Sequence, residues 1–130
     1  MVLICHPHHP FAKMKSVKLK NLTGQKFIGF EPDIPTRKAI DKVLRERGVE
    51  IHHVMEFDNI ETVKRAVEID AGGAIVPLGT ISQETNKQTL AAVPVDDAEM
   101  YRPLAAIHKK TKVLSPAMKQ FLAILKEEGK

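Results

Sequence analysis

Across residues 26–76 the hydrophobic spacing alternates between two periods, and that alternation restricts the fold more than any other feature. Lys26-Phe27-Ile28-Gly29-Phe30 reads as an extended segment. Ala39, Ile40, Val43 and Leu44 then recur at helical spacing, and Gly48 supplies a left-handed stop for a helix running to about Arg47. Val49 to Glu56 returns to strand-like spacing, with Val49, Ile51 and His53 on one face. Ile60, Val63 and Val67 lie at i, i+3 and i+7, the face of a second helix that Asp70-Ala71-Gly72-Gly73 ends. Ala74-Ile75-Val76 follows as a short buried strand closed by Pro77. Strand, helix, strand, helix, strand predicts a parallel sheet, since parallel neighbours need a crossover and a helix is the usual one.

The flanks are less regular. Val2-Leu3-Ile4-Cys5 is a strand candidate stopped by the prolines of His6-Pro7-His8-His9-Pro10, and Val17, Leu19 and Leu22 mark a weak extended segment. Beyond Pro77 a polar stretch leads to extended segments at 90–95 and 102–108. Ser115-Pro116 heads a last helix whose stripe is Met118, Phe121, Leu122 and Leu125. The 130 residues suit one domain. No apolar run is long enough for a membrane span, and the start has neither a basic n-region nor a small-residue cleavage site, so a cytoplasmic location is expected. A single cysteine, Cys5, fits a reducing compartment. Charge is uneven: residues 1–30 carry +5, residues 51–100 carry −6 and residues 101–130 carry +5. The lysines are dispersed, and with no Trp and one Tyr there is no stacking platform for single-stranded nucleic acid.

Little in the chain suggests catalysis. Cys5, His6, His8 and His9 are residue types that bind zinc, but their spacing matches no standard site, and no metal is expected. His52 and His53 are adjacent on a strand and point to opposite faces. No nucleophile triad and no phosphate-binding glycine pattern is present, so neither an enzyme nor a cofactor is expected. The functional expectation falls on two loops, Phe30 to Thr36 and Glu56 to Asn59. Each joins the carboxyl end of a strand to a helix start, where open α/β sheets bind ligands. The candidate contacts are Glu31, Pro32, Thr36, Phe57, Asp58 and Asn59. Asp33 and Asp58 have an alternative role as helix caps, which leaves Thr36 and Asn59 as the freer polar groups.

Five stretches in order resemble the effector-binding domain of LysR-type transcriptional regulators. They are His9-Pro10-Phe11-Ala12 after a strand, the segment ending Gln25-Lys26-Phe27-Ile28, Val67 to Pro77, Arg102 to Lys110, and Ser115 to Leu125. The resemblance implies a periplasmic-binding-protein-like α/β fold, with a mainly parallel βαβαβ subdomain and an incomplete second one. By that reading residues 26–95 are the second effector subdomain, while 1–25 and 96–130 are what remains of the first. It also implies a small-molecule effector in the cleft between subdomains, touched by the two loops, and a homo-oligomer, most simply a dimer. The chain matches only the rear part of such a regulator, without its winged helix-turn-helix, so no direct DNA binding is expected. One departure is Asp70, where the family usually has glycine in a position that often needs positive φ; Asp tolerates that better than most residues. The alternatives are a stand-alone ligand-binding module and an association module that inhibits full-length relatives.

Overall fold

The computed structural model describes residues 1–128. Its elements are β1 (Val2–Cys5), β2 (Lys26–Phe30), α1 (Pro35–Glu46), β3 (His52–Phe57), α2 (Ile60–Glu68), β4 (Ala74–Val76), α3 (Ser82–Asn86), β5 (Ala91–Val93) and α4 (Pro116–Glu128). Short 3-10 turns at Pro10–Lys13, Leu19–Leu22 and Leu78–Thr80 fill connections. The expected βαβαβ unit is present: β2 and β3 pair in parallel, and β4 meets β2 in parallel through a bridge at Phe27 and Gly73. Ile28 N–H donates to the Gly73 carbonyl at 2.7 Å, and Gly73 N–H to that of Lys26 at 3.0 Å. β1 then pairs antiparallel with β4 on one side and β5 on the other. Through these contacts the strands run β3–β2–β4–β1–β5, with β1 the reversed member.

Alternation along β1 explains the layering. Leu3 and Cys5 enter one buried cluster with Phe27, Ile40 and Leu44, on the face covered by α1. Val2 and Ile4 enter another with Ile28, Val63 and Val67, on the face covered by α2. A strand sends successive side chains to opposite faces, so a four-residue strand buried throughout must lie between two layers.

This pairing does not follow the division expected at residue 25. β1 is the middle strand of its sheet, and Val17, Leu19 and Leu22 share one core with residues 27–100. Residues 1–25 therefore fold with 26–95. The segment apart is the tail. Met100 is buried, but residues 101–113 are all exposed and α4 buries nothing. The extended segment expected at Arg102 to His108 forms no strand, because no neighbour offers it a ladder. The apolar stripe of α4 is likewise uncovered: Phe121 is 61% exposed, and Leu122 is half-buried.

Two helix starts fall one residue later than expected. Ile34, not Asp33, is the cap residue of α1, with extended backbone at φ −71° and ψ 132°. A residue before proline is pushed out of the helical region, so Pro35 fixes the boundary. At α2 the cap is Asn59, whose Oδ1 accepts from Glu61 N–H at 2.7 Å. Asn caps as well as Asp, and the later start lets β3 run to Phe57, opposite Phe30. Asp70 does take up positive φ, at 60°, as its position after α2 anticipates.

Candidate functional site

Parallel pairing of β2 and β3 brings the two expected loops side by side. Glu31 N–H donates to the Phe57 carbonyl at 3.0 Å, one step past the Phe30–Phe57 pair. β4 is parallel to β2, so Pro77 and the Leu78–Thr80 turn leave at the same edge. Glu31, Pro32, Asp58 and Asn59 are exposed there, Phe57 is half-buried, and Thr36 is only 2% exposed. Four of the six are thus open to solvent at the ends of β2 and β3, while Thr36 is buried in the first turn of α1.

The polar groups at this edge have different tasks. Asn59 is occupied as the α2 cap, so its side-chain oxygen is not the free contact expected of it. Asp33 and Asp58 carry none of the described side-chain hydrogen bonds, and neither caps a helix. The Thr36 hydroxyl accepts from Arg102 Nη1 at 3.3 Å, across 66 positions of sequence. Arg37 ties the strand ends together: its Nη1 donates to the Phe30 carbonyl at 2.7 Å and to Glu56 at 2.9 Å, while its Nε reaches Asp41 at 2.8 Å. Beside it, burial and then the Arg37 charge lower the His53 pKa, against the opposing pull of Asp41 and Glu56. On the far side of α2, Lys64 donates to the Thr80 carbonyl at 3.0 Å and pairs with Glu61 and Glu84 at 2.9 and 2.7 Å. That cluster fixes the third loop to α2.

The N-terminal histidines do not assemble with Cys5. His6 Nδ1 accepts from His8 N–H and His9 Nδ1 from Phe11 N–H, each at 3.1 Å. Among the described residues no group of three or more His, Cys, Asp or Glu side chains is placed to hold a metal ion. Burial, then the Asp70 charge, push the Cys5 thiol up to about 11, so it stays protonated near neutrality. Sequence reasoning missed Arg37, Lys64 and Arg102. The i, i+4 spacing of Arg37 to Asp41 and the i, i+3 spacing of Glu61 to Lys64 were readable signals. Nothing local signals Arg102.

A layered α/β unit with its candidate contacts at the carboxyl ends of parallel strands is the plan of a small-molecule-binding domain. Residues 1–130 match the family described as LysR substrate binding domain, and the chain belongs to that family. Among curated proteins it is 31% identical over 129 residues to the "RuBisCO operon transcriptional regulator" of Allochromatium vinosum, covering 99% of this chain and 43% of that one. It is 32% identical over 124 residues to the "Probable RuBisCO transcriptional regulator" of Cyanophora paradoxa, covering 93% of this chain and 38% of the relative. The chain thus spans about two fifths of the length of these relatives. Among solved structures it resembles the CcmR regulatory domain of Synechocystis PCC6803 in complex with 2-PG (TM-score 0.75, 21% identity, 97% of this chain and 61% of that one). It also resembles the effector binding domain of QuiR in complex with shikimate (TM-score 0.75, 22% identity, 98% and 60%). The fold is that of the LysR effector-binding domains, periplasmic-binding-protein-like. No described helix is long and apolar enough to cross a membrane.

Proposed function

We propose that this chain senses a small molecule for a LysR-type regulator and performs no catalysis itself. The effector lies against the carboxyl edge of β2 and β3, touched by Glu31, Pro32, Thr36, Phe57, Asp58 and Asn59. The observation that carries this reading is the Glu31–Phe57 hydrogen bond, which sets both loops on one surface. The ligand complexes of CcmR and QuiR, proteins of the same fold, support it. Asn59 contributes through its side-chain NH₂, since its oxygen caps α2. The mechanism is differential binding: an effector that prefers one arrangement shifts the population toward it. The protein works in the cytoplasm, binds no DNA through this chain, and needs no cofactor.

Self-association belongs to the same reading. Leu104, Ile107, Phe121 and Ile124 are each at least 49% exposed, and large apolar surfaces seldom stay in water. A two-fold dimer that covers this face is the simplest closure.

Titration calorimetry with a panel of metabolites tests the sensing role. Saturable binding to the wild type, weakened in Thr36→Val and in Asn59→Ala with the fold intact, is the expected result. Unchanged affinity in both variants removes this surface as the site.

A further inference from the structure

Two features of the fold are each left without a partner. The first is the outer edge of β3. Among the described residues β3 pairs only with β2, so it ends the sheet. Just ahead of it the Glu50 carbonyl accepts from Gly24 N–H, and at its start His52 N–H donates to the Gln25 carbonyl, each at 3.1 Å and each toward β2. Alternation turns the backbone groups of Ile51 and His53 the other way, off the sheet. Val54 is an extra residue between the Phe27–His53 and Ile28–Met55 pairs, and this bulge confines any further ladder to the short stretch before it. Beside that stretch, on the side of α1, runs a groove of about 420 Å³, with Leu44, Val49 and Ile51 as its apolar lining and Asp41, Glu50 and His53 as its polar one.

The second is a segment of the tail. Leu104-Ala105-Ala106-Ile107 is exposed throughout, Leu104 at 82% and Ile107 at 93%, and none of its backbone groups has a described hydrogen bond. Charge separates the surfaces that could cover it. Residues 101–130 carry +5, so two tails laid on each other would bring like charge together. Residues 50–70 carry six acids against Lys64 and Arg65, so a tail laid along β3 meets opposite charge, with Arg45 the one basic residue lining the groove.

We propose that Leu104-Ala105-Ala106-Ile107 of one copy adds as a strand to the β3 edge of a second copy, and that the exchange is reciprocal. The proposal rests on the self-association given above and names the surface that meets the tail. Main-chain hydrogen bonds to Ile51 and His53 hold the added strand, and side-chain pockets set its register. Leu104 and Ile107 point to opposite faces of such a strand. One fills the groove beside α1, and the other lies on the α2 face, where Met55, paired with Ile28, is 42% exposed. Lys109, Lys110 and Lys112 then follow onto the acidic surroundings of β3. Each copy has one such edge and one such segment, so two copies use both and the assembly closes on a two-fold axis.

Successive residues of an added strand turn their N–H groups to alternate sides, so Ala105 and Ala106 cannot both donate to β3. Proline at the donating position removes a ladder bond; at the other it is tolerated, as on any outer strand. The test follows mass by light scattering and amide exchange by NMR on the full chain, over a roughly hundredfold concentration range, for wild type, Ala105→Pro and Ala106→Pro. Both positions are exposed, so the variants keep the body's fold, which circular dichroism checks. In wild type the mass should rise from 14.5 kDa toward twice that, while the Ile51 and His53 amides slow by about tenfold or more. One proline variant should stay monomeric with those amides fast, and the other should dimerise like wild type. A dimer whose Ile51 and His53 amides exchange as fast as in the monomer, or one weakened equally by the two prolines or by neither, overturns the strand addition and leaves the tail covered elsewhere. Slow exchange at those amides in a 14.5 kDa species at every concentration places each tail on its own β3 and overturns the exchange between copies. A 14.5 kDa species with those amides fast removes the dimer and the strand addition together.

Discussion

At the scale of single residues, the buried charges set the sharpest expectations. Lys64 is 5% and Glu84 7% exposed, and Glu84 Oε2 has no hydrogen-bond partner. Lys64→Met leaves a carboxylate unpaired in that position and should cost on the order of 3 kcal/mol in urea denaturation. Lys64→Met with Glu84→Leu should recover most of it, since an apolar pair can replace a buried ion pair. A double variant no more stable than the single one would show that the pair is not the unit lost. The hydrogen bond from Lys64 holds the Glu84 carboxyl below its ordinary 4.5, against the opposing effect of burial. Its contribution is therefore complete above about pH 4.5 and lost as pH falls through the lowered value. Urea curves from neutral pH down to pH 3 should show that loss in wild type and much less of it in the double variant. Burial acts on Lys64 to lower its pKa, but the hydrogen bonds to Glu84 and Glu61 outweigh it and the net shift is upward. Cys5 offers a second readout. With its thiol pushed up to about 11 and the side chain 2% exposed, labelling by a thiol reagent at neutral pH should follow global unfolding; rapid labelling under native conditions would mean that β1 opens locally.

At the scale of elements, two backbone positions connect helix to sheet. Asp70 ends α2 at φ 60°, a conformation costly for an L side chain and free for glycine. Asp70→Gly should stabilise the chain by about 0.5–1 kcal/mol, seen as a higher melting temperature. No change would mean that the longer freedom of the unfolded glycine cancels the relief. Gly72 differs, because a Cβ there would lie 2.9 Å from the Lys26 carbonyl oxygen, and backbone cannot swing aside. Gly72→Ala should push β4 from β2 and cost about 1–3 kcal/mol. At Gly29 the added Cβ would lie 2.5 Å from the His53 ring, which belongs to an exposed strand and can move. Gly29→Ala should therefore be milder, and His53→Ala should relieve it.

For the whole molecule, the contrast lies between the body and its tail. Two buried clusters and five connected strands hold residues 1–100, while the last helix contributes no buried side chain. From the α4 stripe alone, Leu122→Asp looks like a core defect that unfolds the protein. With Leu122 half-buried and its neighbours exposed, the expected effect moves to association. The variant should melt within a few degrees of wild type, and light scattering over a tenfold concentration range should show less dimer. A wild type that stays at 14.5 kDa throughout would remove the dimer, and collapse of the variant's melting transition would show that α4 supports the body.

The period of the hydrophobic residues was enough to determine the βαβαβ unit and both expected loops. It reports which face each segment buries, and the short crossovers between parallel strands leave little freedom in how those faces meet. Asp70 was legible through the family resemblance rather than through the period, since the position after the helix end is one where the family usually has glycine. Three things lay beyond sequence patterns because each depends on a distant neighbour. Val2–Cys5 reads as a buried strand, but only pairing with β4 and β5 puts it inside the main core rather than with the tail. The caps moved by one residue because a following proline and a strand partner chose the boundary. Arg102 reaches Thr36 only because the chain returns past Met1 to the edge where the loops emerge, and no local spacing encodes a contact across 66 residues.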